Sequence, residues 1–261
     1  MTPKTPPNPE MRAFYEAEAQ AYLESLPLSH FMESTAQSSQ RKITVESFDL
    51  IHVARPDVQC FSELLIQYPQ SNRRKPAKVV PDNFVVVYPE PIIASGTFAI
   101  TEQPVGPLLV LEYVSKHSNR KDYHENFDKY QADLKVPYYL IFYPDNEELT
   151  LFQLADGRYS AVRPNAAGRF AIPDLEMEVA LLGGWVRFWF RGALLPLPGD
   201  LLIERDAARE QRDEAREQRD AERQARLAAE KNAEAERHSR IAAESELARL
   251  REELARAKGR E

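Results

Sequence analysis

The stretch VVPDNFVVVYPEP, residues 79–91, with LLVLEYVSKHSNRKDYHENFDKY, residues 108–130, decides how this chain folds. It sets an acid, Asp82, just ahead of one apolar strand and a second acid, Glu112, inside another, and then a helix carrying Lys and Asp. Carboxylates taken into a sheet are expensive to desolvate, and a bound divalent cation is one of the few things that offsets two at once. Asp82 and Glu112 are therefore the first candidates for a site. The plainer reading stands beside it: Asp after Pro bends turns, and a strand-borne Glu pairs with a neighbouring Lys or Arg.

Upstream of this stretch, residues 1–9 are Pro-rich and expected to be disordered or extended. Glu10–Leu26 predicts a helix, with Met11, Phe14, Tyr15, Tyr22 and Leu26 at roughly helical spacing. Ser29 is a candidate N-cap for a second helix through about Val45, which sets Glu33 on the same face as Gln37. SFDLIHV, Ser47–Val53, predicts a strand, Val58–Tyr68 a short helical or irregular piece, and Gln70–Lys78 a loop that delivers the strand Phe84–Tyr88. Leu108–Val114 is an apolar run broken only by Glu112, the pattern of a strand covered on both faces.

Downstream, Tyr123, Phe127, Tyr130 and Leu134 predict a helix over Asp122–Leu134. Tyr138–Tyr143 follows as another central strand, then a hairpin of Leu149–Leu154 and Arg158–Val162 around Asp156-Gly157. Phe170–Ile172 and Glu176–Leu182 are expected as edge elements, and Trp185–Phe190 (WVRFWF) as an aromatic strand packed in the core. From Arg205 the sequence falls into sevens rich in Arg, Glu and Ala, which predicts one helix of about 55 residues, on the order of 80 Å. Its seam is Leu-rich only at Leu247, Leu250 and Leu254 with Ala257. A solvated single helix held by Arg/Glu pairs and a coiled-coil dimer both fit that pattern.

Three segments follow from these shifts in composition: an N-terminal extension and helix over 1–28, a globular domain over 29–200, and a charged helix over 201–261. A net charge of −7 over 261 residues argues against coating nucleic acid or anionic membrane by bulk electrostatics. Local basic clusters remain, Arg73-Arg74-Lys75 with Lys78, and Lys116 to Lys121. The single cysteine, Cys60, excludes an internal disulfide and a cysteine-based zinc site, and reads as a small buried thiol in a reducing compartment. With no signal-peptide pattern and no apolar run near 20 residues, a cytoplasmic location is expected. His30, His52, His117 and His124 show no metal-ligand spacing and read as structural or exposed.

Val80-Pro81-Asp82-Asn83-Phe84-Val85-Val86, Leu111-Glu112-Tyr113-Val114-Ser115, Arg120-Lys121-Asp122 leading to Tyr130, and Val136-Pro137-Tyr138-Tyr139-Leu140 occur in an order that resembles the Uma-type restriction endonucleases, a bacterial group within the PD-(D/E)XK nuclease superfamily. The resemblance covers about Ser29–Trp189. It implies an α/β fold with a restriction-endonuclease-like αβββαβ core, added β elements and a long C-terminal helix outside the match. It also implies a Mg²⁺ site, with Mn²⁺ able to substitute, made by Asp82, Glu112 and the main-chain carbonyl of Tyr113, and DNA as the substrate.

The chain departs from the superfamily pattern at the lysine. The position two residues after the strand acid is Val114, and the position family members use on the following helix, four residues after the match to Asp122, is Asn126. Lys129, one further turn along, is the substitute expected here, with Lys116 and Lys121 as rivals. Ser115, Asp122, Lys116 and Glu33 are supporting candidates. Two functions follow: a metal-dependent DNA endonuclease, or a nuclease-like binding or scaffold protein that has lost cleavage and associates through its C-terminal helix.

Overall fold

The computed structural model describes residues 9–26, 35–70, 75–94, 96–114 and 125–258. Ser29, His30, Glu33, Ser115, Lys116, His117, Lys121, Asp122 and His124 lie outside them. The chain divides into two compact units, Met1–Pro198 and Gly199–Glu261.

In the first unit, α1 (Pro9–Ser25) and α2 (Thr35–Ala54) precede β1 (Val58–Ser62), β2 (Leu65–Tyr68), β3 (Ala77–Val79), β4 (Asn83–Val87), β5 (Thr97–Ala99) and β6 (Leu109–Tyr113). A helical segment, α3, occupies residues 125–133, and β7 (Tyr138–Tyr143), β8 (Glu148–Ala155) and β9 (Arg158–Ala161) follow. The central sheet has the order β1-β4-β6-β7-β8-β9. All its pairs are antiparallel except β6 with β7, which α3 joins as a parallel crossover. Taken as α2, β1, β4, β6, α3, β7, the chain order is the expected αβββαβ, with β2, β3 and β5 forming an added sheet in the order β3-β2-β5. A third sheet, β10 (Phe170–Ile172), β11 (Met177–Leu182), β12 (Trp185–Phe190) and β13 (Ala193–Leu194), completes the unit.

Alternation along the central strands gives each face its own core. Val85, Leu109, Leu111, Leu140 and Phe142 pack with Ile43, Phe48 and Ile51 of α2 and with Val179, Val186 and Phe188 of the third sheet. Phe84, Val86, Val110, Tyr139 and Ile141 pack on the other side with Ile66, Val79, Phe98 and Tyr130. α2 is also fastened to β12: the Gln40 side-chain amide accepts from Val186 N–H at 2.8 Å and donates to its carbonyl at 3.1 Å.

Several expectations are corrected. Ser47–Val53 is the last part of α2 rather than a strand, because Gln40, Ile43, Thr44, Ser47, Phe48 and Ile51 are buried at spacings of three and four. A seven-residue apolar run satisfies either period, and only the residues ahead of it settle which applies. The first strand of the core is instead Val58–Ser62, paired residue for residue with β4, so the stretch through Tyr68 is extended rather than helical or irregular. The predicted Gln70–Lys78 loop likewise ends in β3, whose Val79 pairs with Ile66. α1 buries Tyr15 and Ala19, while Met11 and Phe14 of the expected stripe are exposed. It is held by Gln67 Nε2 donating to Tyr15 O at 3.1 Å and by Lys78 on Glu18.

One helix, α4, runs from Pro198 to Lys258 over 61 residues and accounts for the described part of the second unit. It starts earlier than the heptads do, with Pro at its first position and Asp200 in its first turn, both favourable at a helix N-terminus. Arg226–Glu230 at 3.1 Å and Arg240–Glu244 at 3.0 Å are of the predicted i,i+4 kind. No helix among the described residues is long and apolar enough to cross a membrane.

Candidate active site

The two acids meet through strand register. β4 and β6 run antiparallel with Phe84 opposite Val110 and Asn83 opposite Leu111. One residue further, Asp82 falls opposite Glu112, and directly opposed residues of an antiparallel pair project to the same face. Their carboxyl groups come within hydrogen-bonding reach of each other. Asp82 Oδ2 also accepts from the Tyr113 main-chain N–H at 2.6 Å, and Glu112 Oε1 accepts from the Tyr130 hydroxyl at 2.7 Å.

Enclosure raises both acids above the ordinary carboxyl range. For Asp82 desolvation is the largest cause, opposed by the Tyr113 N–H and by the Arg41 guanidinium. Glu112 is pushed up further, first by desolvation and then by the charge of Asp82, with the Tyr130 hydroxyl pulling the other way. Two carboxyls this close do not both ionise readily without a cation, and each disfavours ionisation of the other. Asp82 nevertheless keeps 22% of its side chain exposed, which leaves the pair reachable.

α2 supports the site with a stripe spaced four and three residues apart. Gln37 Nε2 donates to the Tyr113 carbonyl at 2.9 Å. Arg41 Nη2 lies 2.6 Å from Glu63 Oε1 and 3.8 Å from Asp82 Oδ1. Thr44 Oγ1 bonds the Tyr113 hydroxyl at 2.6 Å, and that hydroxyl donates to Asn83 Oδ1 at 2.8 Å. Tyr113 is thus fixed at its amide, carbonyl and ring ends, and its neighbours in sequence and in register are the two acids. Glu63 has the left-handed φ of 49°, and its N–H donates to the Asp82 carbonyl at 3.1 Å, so the turn after β1 is tied to the residue that carries the first acid.

On α3 the last turn is π-helical over Lys129–Asp133, with Leu134 N–H donating to Lys129 O at 2.9 Å. π-turns inside helices are frequent at functional sites. Here the turn carries Tyr130, buried at 0% exposure against Tyr139, and brings its hydroxyl to Glu112. The predicted cation, Lys129, is half-buried, and its Nζ donates to Asn126 Oδ1 at 3.3 Å, at the position to which the resemblance assigns the lysine.

The structure therefore brings together Asp82, Glu112 and Tyr113. Lys129 is on the adjoining helix, bonded to that helix. Ser115, Asp122, Lys116 and Glu33 fall outside the described residues. Sequence reasoning missed Tyr130, Arg41 and the use of Gln37, and had treated Tyr130 as part of an apolar stripe. Among the described residues no three His, Cys, Asp or Glu side chains form a ready cation cage. Two carboxylates and a main-chain carbonyl are nonetheless the hard oxygen donors suited to Mg²⁺ or Mn²⁺, which keep several waters. Burial pushes the Cys60 thiol up to about 12, away from the thiolate that a nucleophile needs. His52 Nδ1 is paired with the Val58 carbonyl at 2.7 Å.

Residues 32–182 match a family described as "Uma2: Putative restriction endonuclease". No curated protein matches the chain. Among solved structures, one described as "a putative nuclease belonging to DUF820 from Anabaena variabilis ATCC 29413" is 14% identical, with a TM-score of 0.42 over 55% of this chain and 75% of that one.

Proposed function

The chain belongs to the Uma2 restriction endonuclease family, and from that membership we propose that it is a metal-dependent DNA endonuclease that hydrolyses phosphodiester bonds. The observation that carries the reading is the opposed pair Asp82 and Glu112, hydrogen-bonded to each other and both raised in pKa. A divalent cation held there by the two carboxylates and the Tyr113 carbonyl would supply Lewis-acid polarisation and an acidified water. The chain's own residues do the rest. The Tyr113 N–H fixes Asp82, Tyr130 orients Glu112, Gln37 holds the Tyr113 peptide, and Lys129 steadies the attacking water. Ser115, Asp122, Lys116 and Glu33 are assigned supporting roles.

The test is nicking of supercoiled plasmid by purified protein with Mg²⁺ or Mn²⁺, against Asp82→Ala. Cleavage by the parent that the variant loses supports the enzyme. Equal cutting by both, or none by either across broad conditions, sinks it. One observation favours the second reading, a nuclease-like binding protein without cleavage: Val114 replaces the usual strand lysine and Lys129 is engaged with Asn126. We assign self-association to the Leu-rich end of α4. Sedimentation of the chain lacking residues 203–261 is expected to show a smaller oligomer, and an unchanged state would refute this.

Tyr130→Phe tests the orientation of Glu112. Loss of a donor that favours the ionised form raises the Glu112 pKa further. The acid limb of the pH–rate profile is then expected to move to higher pH, while stability falls by about 0.5–1.5 kcal/mol. A profile superimposable on the parent's would show that the hydroxyl does not act on the acid.

A further inference from the structure

With Val114 at the superfamily lysine position and Lys129 assigned to the attacking water, the site needs a second cation to meet the negative charge that builds on the phosphate. We infer that Arg41 of α2 is that group: it binds a non-bridging oxygen of the scissile phosphate when DNA occupies the site. This rests on the nuclease reading above and adds a substrate-touching residue to it.

Geometry carries the assignment. Arg41 lies 3.8 Å from Asp82, on the carboxyl that would also hold the metal, and its side chain is 19% exposed, enclosed yet open at one side. It is placed by the stripe that also sets Gln37 on the Tyr113 carbonyl and Thr44 on the Tyr113 hydroxyl, so its backbone is registered to both acids. The partner at 2.6 Å, Glu63, is 58% exposed and stands in a left-handed turn. The Glu63 end of this pair is open to solvent, so another anion can reach the guanidinium from that side and compete for it. A phosphodiester presents two non-bridging oxygens, which the planar guanidinium fork can meet. Glu63 thus parks the fork beside Asp82 until a phosphate replaces it. No bond is made or broken by Arg41; it stabilises charge that develops on the phosphoryl oxygens.

The experiment measures binding of a fluorescent DNA duplex in Ca²⁺ as a function of NaCl, and plasmid cleavage in Mn²⁺, for the full chain, Arg41→Ala and Arg41→Lys. Loss of one phosphate contact makes the slope of log K against log[salt] shallower by about 0.9. Arg41→Ala is expected to show that change, together with about 10²–10³-fold slower cleavage. Arg41→Lys should keep the parent slope and recover part of the rate. A purely structural role would leave the slope alone, so parental slopes in both variants overturn the assignment even if cleavage falls. If the parent binds duplex without cutting it, the nuclease reading fails and the slope still decides for or against Arg41. If the parent does not bind duplex, both fail. Circular dichroism of each variant excludes misfolding, and should Arg41→Ala not fold, Arg41→Gln takes its place.

Discussion

Glu112→Gln is expected to give a chain that melts higher than its parent in metal-free buffer at pH 8, yet cuts DNA at least about 10²-fold more slowly. Both acids of the pair lie above their ordinary range in the folded chain, so the folded state holds these protons more tightly than the unfolded state does. The stability contributed by the pair is therefore fully present below the ordinary carboxyl range, about pH 4, and is lost as pH rises through the raised values. Once those values are passed, two like charges are left facing each other, and a neutral amide relieves them. Calorimetry in EDTA between about pH 5 and pH 8 should show the parent's melting temperature falling relative to that of the variant. Parallel curves would contradict the raised values. Adding Mn²⁺ at pH 8 should raise the parent's melting temperature and not the variant's, because a cation that binds only the folded state stabilises it by mass action. The gain should shrink toward pH 5, where protons compete for the same oxygens.

Phe84→Ala is the substitution expected to cost most in stability, about 3–5 kcal/mol. Phe84 is 0% exposed, with ring centroids 5.1 Å from Phe61 and 5.0 Å from Phe98. Its ring therefore joins the central sheet to the added sheet of β2, β3 and β5. Truncation leaves a cavity that three β elements cannot collapse around, since each is held by its own ladder. For a unit of this size the melting temperature should drop on the order of 10 °C in a thermal scan. A loss under about 1 kcal/mol would mean that the aromatic layer repacks freely. Because Phe84 sits two residues from Asp82, cation binding is expected to weaken alongside.

Much of the site was legible because it is local. Asp82 stands in a Pro-Asp turn before a run of Val and Phe, and Glu112 is the one charge in an apolar run. Both signals survive without knowledge of the fold, as do the strands at Tyr138–Tyr143 and Trp185–Phe190 and the heptad helix. What escaped depends on partners distant in sequence. SFDLIHV reads equally as strand or helix until the buried positions from Gln40 onward are known. Arg41 and Gln37 look like ordinary helix-surface residues, and gain meaning only when α2 docks across the end of β6, over 70 residues away in the case of Gln37 and Tyr113. Tyr130 fits an apolar helical stripe whether or not its hydroxyl has a partner. The π-turn that aims it leaves no mark in composition, because it is a single extra residue in one turn rather than a change of period.

The cross-strand pairing of Asp82 with Glu112 divides the polypeptide into parts that tolerate length changes and parts that do not. Residues 88–107 connect the two paired strands and carry β5 between them, so insertions on either side of Thr97–Ala99 leave the spacing of the two acids unchanged, since lengthening a surface connection carries only a small entropic cost. A single residue added inside Asn83–Val87 has the opposite effect. It would swing the leading aspartate to the far side of the sheet and leave the glutamate facing an empty position, a slip that would disable the centre without touching either acid.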